Sequence, residues 1–261
     1  MDLEQVKRVG VRAAYKAGEV LRGFHGGELK VRKKGAVDLV TEADTASEKL
    51  IMDTILSAYP GHDVLAEESG LTAGDGRCRW IIDPLDGTTN FAHGLDLYAV
   101  SIAFALEGQV MVGLVFSPAN GELFAAIKGQ GATLNDKAIC VSRTETLADS
   151  LLVTGFPYNT REILAPLMVR FSSCLSASQG IRRLGSAAID LCYVACGRFD
   201  GFWEEDLKPW DTAAGALIAA EAGGVVTDFC DRPFSAAMVQ IAATNGLIHS
   251  QLLPLLGCEN K

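Results

Sequence analysis

The sequence WIIDPLDGTTNF occupies residues 80–91 and combines a short apolar strand with two aspartates at its end. The strand predicted over residues 79–83 delivers Asp83, and Pro84 is expected to end it. A turn then sets Asp86 three residues later. An Asx-Pro turn with a capped short helix explains either aspartate alone. The complete sequence instead predicts two carboxylates that leave one strand end together.

The residues after Asp86 are suited to binding an anion. Gly87 allows the backbone to approach a ligand closely, and the N–H groups of Gly87 and Thr88 at a helix start form a seat for phosphate. Two ionised carboxylates about 4 Å apart repel each other by roughly 4 kcal/mol at an effective dielectric constant of about 20. Oxygen ligands without neighbouring His or Cys favour Mg²⁺ over zinc. The segment therefore predicts a Mg²⁺ site beside a phosphate.

The chain has 261 residues and a formal net charge of −9. This length can bury a sizeable core. The negative charge opposes non-specific binding to nucleic acid, which depends on Lys and Arg, and it suits a protein that binds divalent cations. No stretch is long and apolar enough to span a bilayer, and the start of the chain lacks a secretory signal pattern. We therefore expect a cytoplasmic protein that binds neither membranes nor nucleic acid directly.

Hydrophobic periodicity changes character near residue 150. The first half is predicted to hold two helices and a meandering sheet, and the second half to alternate short strands with helices. The helices are predicted at 3–24, about 43–58, 161–177, 186–196 and 211–222. We expect an α/β protein in one body: residues 1–149 form an N-terminal α+β subdomain with the metal-binding motifs, and residues 150–261 form a C-terminal α/β subdomain that completes the active site.

The seven cysteines are scattered, without the paired spacing of a zinc site or a disulfide framework. We expect them to be reduced. Cys192 and Cys196 are four residues apart and could share a helix face. Packing as two small buried hydrophobic side chains is the simpler interpretation, and the cysteines receive no chemical role.

Three motifs together resemble the inositol monophosphatase family: DPLDGTTNF at 83–91, LAEES at 65–69 and LKPWDTAAG at 207–215. The resemblance covers essentially the whole chain. It implies a layered αβαβα sandwich, the fold shared with fructose-1,6-bisphosphatase, and Mg²⁺-dependent hydrolysis of myo-inositol monophosphate. It also implies a homodimer and inhibition by Li⁺.

The resemblance implies two or three Mg²⁺ ions per active site. Their ligands are five carboxylates and one backbone carbonyl, from Glu67, Glu68, Asp83, Leu85, Asp86 and Asp211. The resemblance implies that Asp83 bridges the first and second ions. The first ion is also implied to contact Glu67 and the Leu85 carbonyl. A third, weaker ion is implied near Glu67 and Glu68.

The implied catalytic residues are Glu67, Thr88 and Asp44. Thr88 and Asp44 are similar to the pair that orients the attacking water in this family. Catalysis would then need no covalent intermediate, because the metal ions activate the water and neutralise the phosphoryl oxygens.

The resemblance also implies contacts to the substrate phosphate and hydroxyl groups from Lys33, Asp86, Gly87, Thr88, Ala187, Glu204 and Asp211. Lys33 fits a solvated basic loop equally well, and His93 is better explained as a polar loop residue than as a base. Asp206 stands where relatives often have Gly, and Asp adopts a left-handed conformation less readily. The geometry at the mouth of the site, and with it the substrate preference, is therefore open.

The acidic residues also have ordinary structural interpretations. Glu67 and Glu68 could form an acidic pair on the surface. Asp211 could cap the helix that follows it. Asp44 matches a capping box with Thr41. Only the combination of motifs favours the catalytic interpretation.

Two other functions are compatible with the sequence. The same metal site could act on fructose-1,6-bisphosphate or a 3′-phosphoadenosine nucleotide, and the loop around Glu204 would decide between these substrates. The scaffold could instead bind the transcription machinery, such as RNA polymerase, as some bacterial relatives do. Arg182-Arg183 is the feature to test for that role.

Overall fold

The computed structural model describes residues 1–27, 31–33 and 39–258, and side chains within 1–27 and 41–258. The α-helices in these ranges are α1 (Leu3–Phe24), α2 (Glu42–Ala58), α3 (Thr88–Ala92), α4 (Leu164–Ala177), α5 (Ala187–Ala195), α6 (Pro209–Glu221) and α7 (His249–Leu256). All five predicted helices are present, with ends shifted by up to three residues. Helix α1 begins at Asp2, whose side chain accepts a hydrogen bond from the backbone N–H of Gln5 at 3.0 Å.

The first large sheet contains β3 (Asp63–Ala66), β4 (Gly70–Thr72), β5 (Cys78–Asp86), β6 (Ala99–Leu106), β7 (Gln109–Ser117), β8 (Glu122–Ile127), β9 (Ala132–Leu134) and β10 (Lys137–Ile139). Its order is β10-β9-β8-β7-β6-β5-β3-β4, and β3 and β5 are its one parallel pair. The predicted meander and its turn at Glu107-Gly108 are confirmed. Two short strands, β1 (Val31–Lys33) and β2 (Leu39–Thr41), form a separate antiparallel pair.

The second large sheet contains β11 (Leu151–Thr154), β12 (Gly180–Arg182), β13 (Gly201–Glu205), β14 (Val225–Thr227) and β15 (Gln240–Thr244). The strand order is β12-β11-β13-β15-β14. A 3₁₀ turn at Leu147–Asp149 precedes it. The predicted subdomain boundary at residue 150 lies between the two sheets and stays a prediction.

The hydrophobic clusters show how the layers are stacked. Trp80 and Ile82 of β5 pack with helices α1 and α2, whereas Ile81, on the other face of the strand, packs with α5 and α6. Helices α5 and α6 also cover one face of the second sheet, and α4 and α7 cover the other. The order of layers is therefore αβαβα, as expected for an inositol monophosphatase-like fold.

Strand β5 departs from the prediction at its end. It continues past Pro84 to Asp86, with a register shift that pairs Asp83 with Ser101 and Asp86 with Ala99. The extra residue makes a β-bulge, which tolerates a proline because the ladder is interrupted there. The bulge brings the two aspartates to the same end of the sheet.

The expectation that all the cysteines are reduced is wrong for one pair. Cys230 and Cys258 form a disulfide across 28 residues of sequence. The turn after β14 and the end of α7 bring their Cα atoms to 4.8 Å, a proximity that cysteine spacing does not encode. Cys192 and Cys174 are free and fully buried. Among the described residues, none of the helices has the length and apolar character that a membrane crossing requires.

Candidate active site

Three segments of the chain converge at the end of strand β5. Glu67 follows β3, and its backbone N–H donates to the Ile82 carbonyl at 3.1 Å, next to Asp83. Asp211 lies in the first turn of α6. The hydroxyl of Ser101, which is paired with Asp83, donates to the Trp210 carbonyl at 3.1 Å and so holds this turn beside β5. These contacts place carboxylates from distant parts of the sequence on one wall.

The carboxylates line a cavity of about 440 Å³. Nine of the residues predicted for the site line it, namely Glu67, Asp83, Leu85, Asp86, Gly87, Thr88, Ala187, Glu204 and Asp211. None of the described residues lining the cavity is His or Cys. Its ligand chemistry is therefore that of oxygen atoms, which suits a hard cation.

Gly87 holds the turn between β5 and α3. Its φ of 86° lies in the left-handed region, and a Cβ there would be 2.7 Å from the Leu97 carbonyl oxygen. Both facts require glycine. The turn brings the first backbone groups of α3 to the cavity, which Gly87 and Thr88 line.

Burial and mutual repulsion raise the pKa values of the aspartates. Desolvation raises the pKa of Asp83 well above its usual range, and the charges of Glu67, Asp86 and Asp211 raise it further. Desolvation raises the pKa of Asp86 to about 6, against hydrogen bonds that lower it. The pKa of Asp211 rises to about 8 for the same main reason. These carboxylates cannot all be ionised near neutral pH unless a cation lies between them.

Protein donors fix one oxygen of each aspartate. Asp83 accepts from the N–H of Leu85 at 2.9 Å, and Asp211 accepts from the N–H of Lys208 at 2.7 Å. One Asp86 oxygen accepts from the Ser186 hydroxyl at 2.6 Å and from the Ala188 N–H at 2.8 Å. In the described part of the chain, no three His, Cys, Asp or Glu side chains already surround a metal position. The donor set fits a hard cation, but binding one requires these side chains to turn toward it.

Asp44 and Thr88 interact behind the cavity wall. One Asp44 oxygen accepts from the N–H and the hydroxyl of Thr41, at 2.8 and 2.6 Å, and closes the capping box of α2. The other lies 3.2 Å from the Thr88 hydroxyl, which is also 2.9 Å from the Leu85 carbonyl. Burial raises the pKa of Asp44. The structural and the catalytic interpretations are thus compatible for this residue.

Glu204 and Asp206 also line the cavity. Glu204 is 7% exposed, and desolvation raises its pKa to about 8, with Asp211 adding to the rise and Arg183 opposing it. Asp206 has a φ of 62°, the left-handed conformation that its glycine-like position predicts. Asp206 lines the cavity with Lys208, whose Nζ is 3.5 Å from the Asp206 carboxylate.

Some predicted residues lie away from the cavity or cannot be placed. Glu68 does not line the cavity, and its N–H donates to Glu48 at 2.9 Å. His93 ends helix α3 and does not line it either. Lys33 belongs to β1, and its side chain lies outside the described residues.

Other residues at the site have no strong signal in the sequence. Ser186 caps α5, and its hydroxyl donates a hydrogen bond to Asp86. In the sequence, this role is indicated only by the serine of GSAAID. Arg183, Gly155 and Lys208 also line the cavity. They come from loops that only the tertiary fold brings together.

Comparison with known proteins gives a consistent assignment. The model of the "Inositol monophosphatase family" matches residues 2–260. An inositol-1-monophosphatase from Synechocystis is 45% identical over 253 residues, which cover 96% of this chain and 88% of that protein. A Nus factor SuhB from Pasteurella multocida is 44% identical over 85% of this chain and 84% of its own length.

Solved structures agree with this result. The extragenic suppressor protein suhB from Bartonella henselae superposes with a TM-score of 0.93 at 42% identity, covering 97% of this chain and 98% of that one. An inositol monophosphatase from Anabaena gives a TM-score of 0.89 at 42% identity, covering 98% and 96%. Because the family model matches residues 2–260 and the relatives are similar over most of the chain, the chain belongs to the inositol monophosphatase family.

Proposed function

We propose that this phosphatase hydrolyses myo-inositol monophosphate to inositol and phosphate in a Mg²⁺-dependent reaction. The observation that carries the proposal is the convergence of Glu67, Asp83, Asp86 and Asp211 on one cavity beside the turn at Gly87. Burial without a cation raises the pKa values of Asp83, Asp86 and Asp211, and the neighbouring carboxylates add to the rise at Asp83 and Asp211.

In this proposal the chain mainly holds and orients groups. Glu67, Asp83, Asp86, Asp211 and the Leu85 carbonyl would hold two Mg²⁺ ions, and a third would lie near Glu67 and Glu68. The chemistry supplied by bound Mg²⁺ is a lowered pKa of the attacking water and neutralisation of charge on the phosphoryl oxygens.

Thr88 orients the water. Its hydroxyl donates to Asp44 or to the Leu85 carbonyl, so its oxygen lone pairs accept a hydrogen bond from the water. The water oxygen bonds to phosphorus while the bond from phosphorus to the inositol oxygen breaks in line; the attacking water loses a proton to solvent, and the departing inositol oxygen takes one up from solvent. The N–H groups at Gly87 and Thr88 bind the phosphate.

One part of the cavity wall selects the alcohol. Glu204 and the backbone at Ala187 line it, and a carboxyl with a pKa of about 8 can both donate to and accept from a hydroxyl near neutral pH. This arrangement supports a polyol as the leaving group. Fructose-1,6-bisphosphate and 3′-phosphoadenosine nucleotides are the rival substrates.

A phosphate-release assay on these three substrates, with and without Mg²⁺ and with added Li⁺, tests the proposal. We expect the highest kcat/KM for myo-inositol 1-phosphate, no turnover in EDTA and inhibition by Li⁺. Replacing Glu204 with Ala, which removes both the donor and the acceptor, should lower kcat/KM most for the inositol ester. Preference for either rival substrate would refute the assignment.

A second role, binding to the transcription machinery, is proposed because several relatives are named Nus factor SuhB. Arg182 is exposed and is the residue to test, whereas Arg183 lines the cavity and would confound the result. Loss of RNA polymerase binding in Arg182→Ala, with turnover retained, would support this role. Unchanged binding would argue against Arg182 as the contact.

We also propose that the protein is a cytoplasmic homodimer. Helix α4 supports the dimer because it exposes four apolar side chains, Leu164, Met168, Val169 and Leu175. Analytical ultracentrifugation tests this directly. Val169 is 66% exposed, so Val169→Lys should leave the fold intact and shift a dimer toward monomer.

A further inference from the structure

Gly155 lies beside Glu204 at the edge of the second sheet. Strands β11 and β13 run parallel, with Thr154 paired to Trp203. The Thr154 hydroxyl donates to the Trp203 carbonyl at 2.7 Å and fixes the two strand ends to each other. The next residue on each strand, Gly155 and Glu204, therefore meet at the cavity wall.

The carboxyl of Glu204 occupies the space that a side chain at Gly155 would need. A Cβ there would lie 2.0 Å from Glu204 Oε2 and 2.2 Å from Oε1, far closer than real Cβ contacts. The φ of Gly155 is not in the left-handed region, so the backbone itself does not require glycine. The requirement comes from Glu204 alone.

The Glu204 carboxyl lies in the wall between two cavities. Gly155, Phe156 and Glu204 separate the 440 Å³ cavity from a smaller one of about 10 Å³, which is the volume of about one water. Among the described residues, none donates a hydrogen bond that would hold the Glu204 carboxyl in place. The close approach of Gly155 limits the position of the carboxyl on that side, and a side chain there would displace it.

We propose that Gly155 is a positioning residue for substrate selection. Because Gly155 has no side chain, the Glu204 carboxyl can lie at the cavity wall, where it contacts a hydroxyl of the leaving alcohol. The inference rests on the proposed function, and it adds a determinant for esters of polyols over esters of simple alcohols. Gly155 acts through Glu204 and takes no part in the hydrolysis itself.

The test compares Gly155→Ala with Gly180→Ala, a glycine in the neighbouring strand where a Cβ meets nothing closer than 3.6 Å. The readout is the ratio of kcat/KM for myo-inositol 1-phosphate to that for phenyl phosphate, which has no other hydroxyl. We expect this ratio to fall about 10- to 100-fold in Gly155→Ala, mainly through KM for the inositol ester, because a displaced positioning group loses its contact. Gly180→Ala should keep the wild-type ratio.

A double variant supplies the specific readout. Glu204→Asp shortens the side chain by one methylene, so adding Gly155→Ala to it should change the ratio less than about twofold, a strong departure from additivity. If Gly155→Ala alone does not fold, recovery of folded protein by Glu204→Asp supports the proposal, and continued misfolding overturns it. Equal ratios in Gly155→Ala and Gly180→Ala, or additive effects, would also overturn it. If the wild-type protein releases no phosphate from either ester, the proposed function itself is refuted. That result is distinct from a change in the ratio between the two esters, which tests only the role of Gly155.

Discussion

Replacing Ser186 with alanine tests whether Asp86 is held ready for a cation. The Ser186 hydroxyl donates to Asp86 at 2.6 Å, and its oxygen accepts from the Ile189 N–H at 3.3 Å as the cap of α5. Loss of the cap should cost about 1 kcal/mol of stability. For a protein of this size that corresponds to a fall in Tm of roughly 2–4 °C.

The effect on metal binding should be larger than the effect on stability. Groups that orient a ligand typically change metal affinity by about 10- to 100-fold when they are removed. The Ala188 N–H still donates to the same Asp86 oxygen at 2.8 Å, so we expect the lower end, about a tenfold rise in the Mg²⁺ concentration for half-maximal activity. Removal of a hydrogen bond that lowers the pKa of Asp86 should also move the acid limb of the activity profile to higher pH.

The assay is Mg²⁺ titration of phosphate release, alongside thermal unfolding in EDTA. Asp2→Ala serves as the control, because Asp2 caps α1 and has no contact with the cavity. It should lower Tm to a similar extent and leave the Mg²⁺ requirement unchanged. If Ser186→Ala lowers Tm but its Mg²⁺ half-saturation stays within about twofold of the wild type, the serine is only a cap and the reasoning fails.

Three further predictions follow from the same site. Asp83→Asn should abolish phosphate release at every Mg²⁺ concentration, because it removes the charge proposed to bridge two ions; near-normal turnover would contradict this. In EDTA, stability should decrease as pH rises from about 4 to about 8, because burial raises the pKa values of Asp86 to about 6 and of Asp211 to about 8, and protons leave the unfolded chain first. Mg²⁺ binds the ionised forms, so calorimetry should show a larger Mg²⁺-induced rise in Tm at about pH 8 than at about pH 5.5, and an equal rise would refute the linkage. Asp206→Gly should change Tm by less than about 3 °C, because relief at a φ of 62° offsets the added freedom of the unfolded chain and the exposed ion pair with Lys208 contributes little; a loss above about 2 kcal/mol would contradict this.

The sequence predicts five of the helices, the meander and the two aspartates at the end of β5 because these depend on local patterns. The strands around residue 80 are continuous apolar runs, and α1 has one clear apolar face. Strand β15 and helix α7 escape this reasoning, since QIAAT is too short and mixed to stand out and α7 contains Pro254. The end of β5 was predicted three residues early because a proline normally stops a ladder, and the bulge is visible only from its pairing with β6.

Most residues in the walls of the cavity could not be predicted from local patterns. Gly155, Arg183 and Ser186 reach it only because two sheets and α5 meet there, and single residues in loops carry no period or spacing. The disulfide between Cys230 and Cys258 is hidden from the sequence for the same reason. Contacts that join distant segments need the fold before they can be recognised.

Asp44 and Asp211 show why local sequence patterns could not distinguish a helix cap from a proposed catalytic or metal-binding residue. Asp44 and Asp211 are both third in their helices, and each accepts a backbone N–H at the helix start through one carboxylate oxygen, at 2.8 and 2.7 Å. A helix N-terminus also stabilises negative charge, which partly offsets the cost of burying these groups. The remaining oxygen of Asp44 is close to Thr88, while Asp211 lines the cavity. Capping therefore occupies one oxygen of each carboxylate and leaves the other for a second contact, so a structural and a proposed catalytic or metal-binding role can coexist in one side chain.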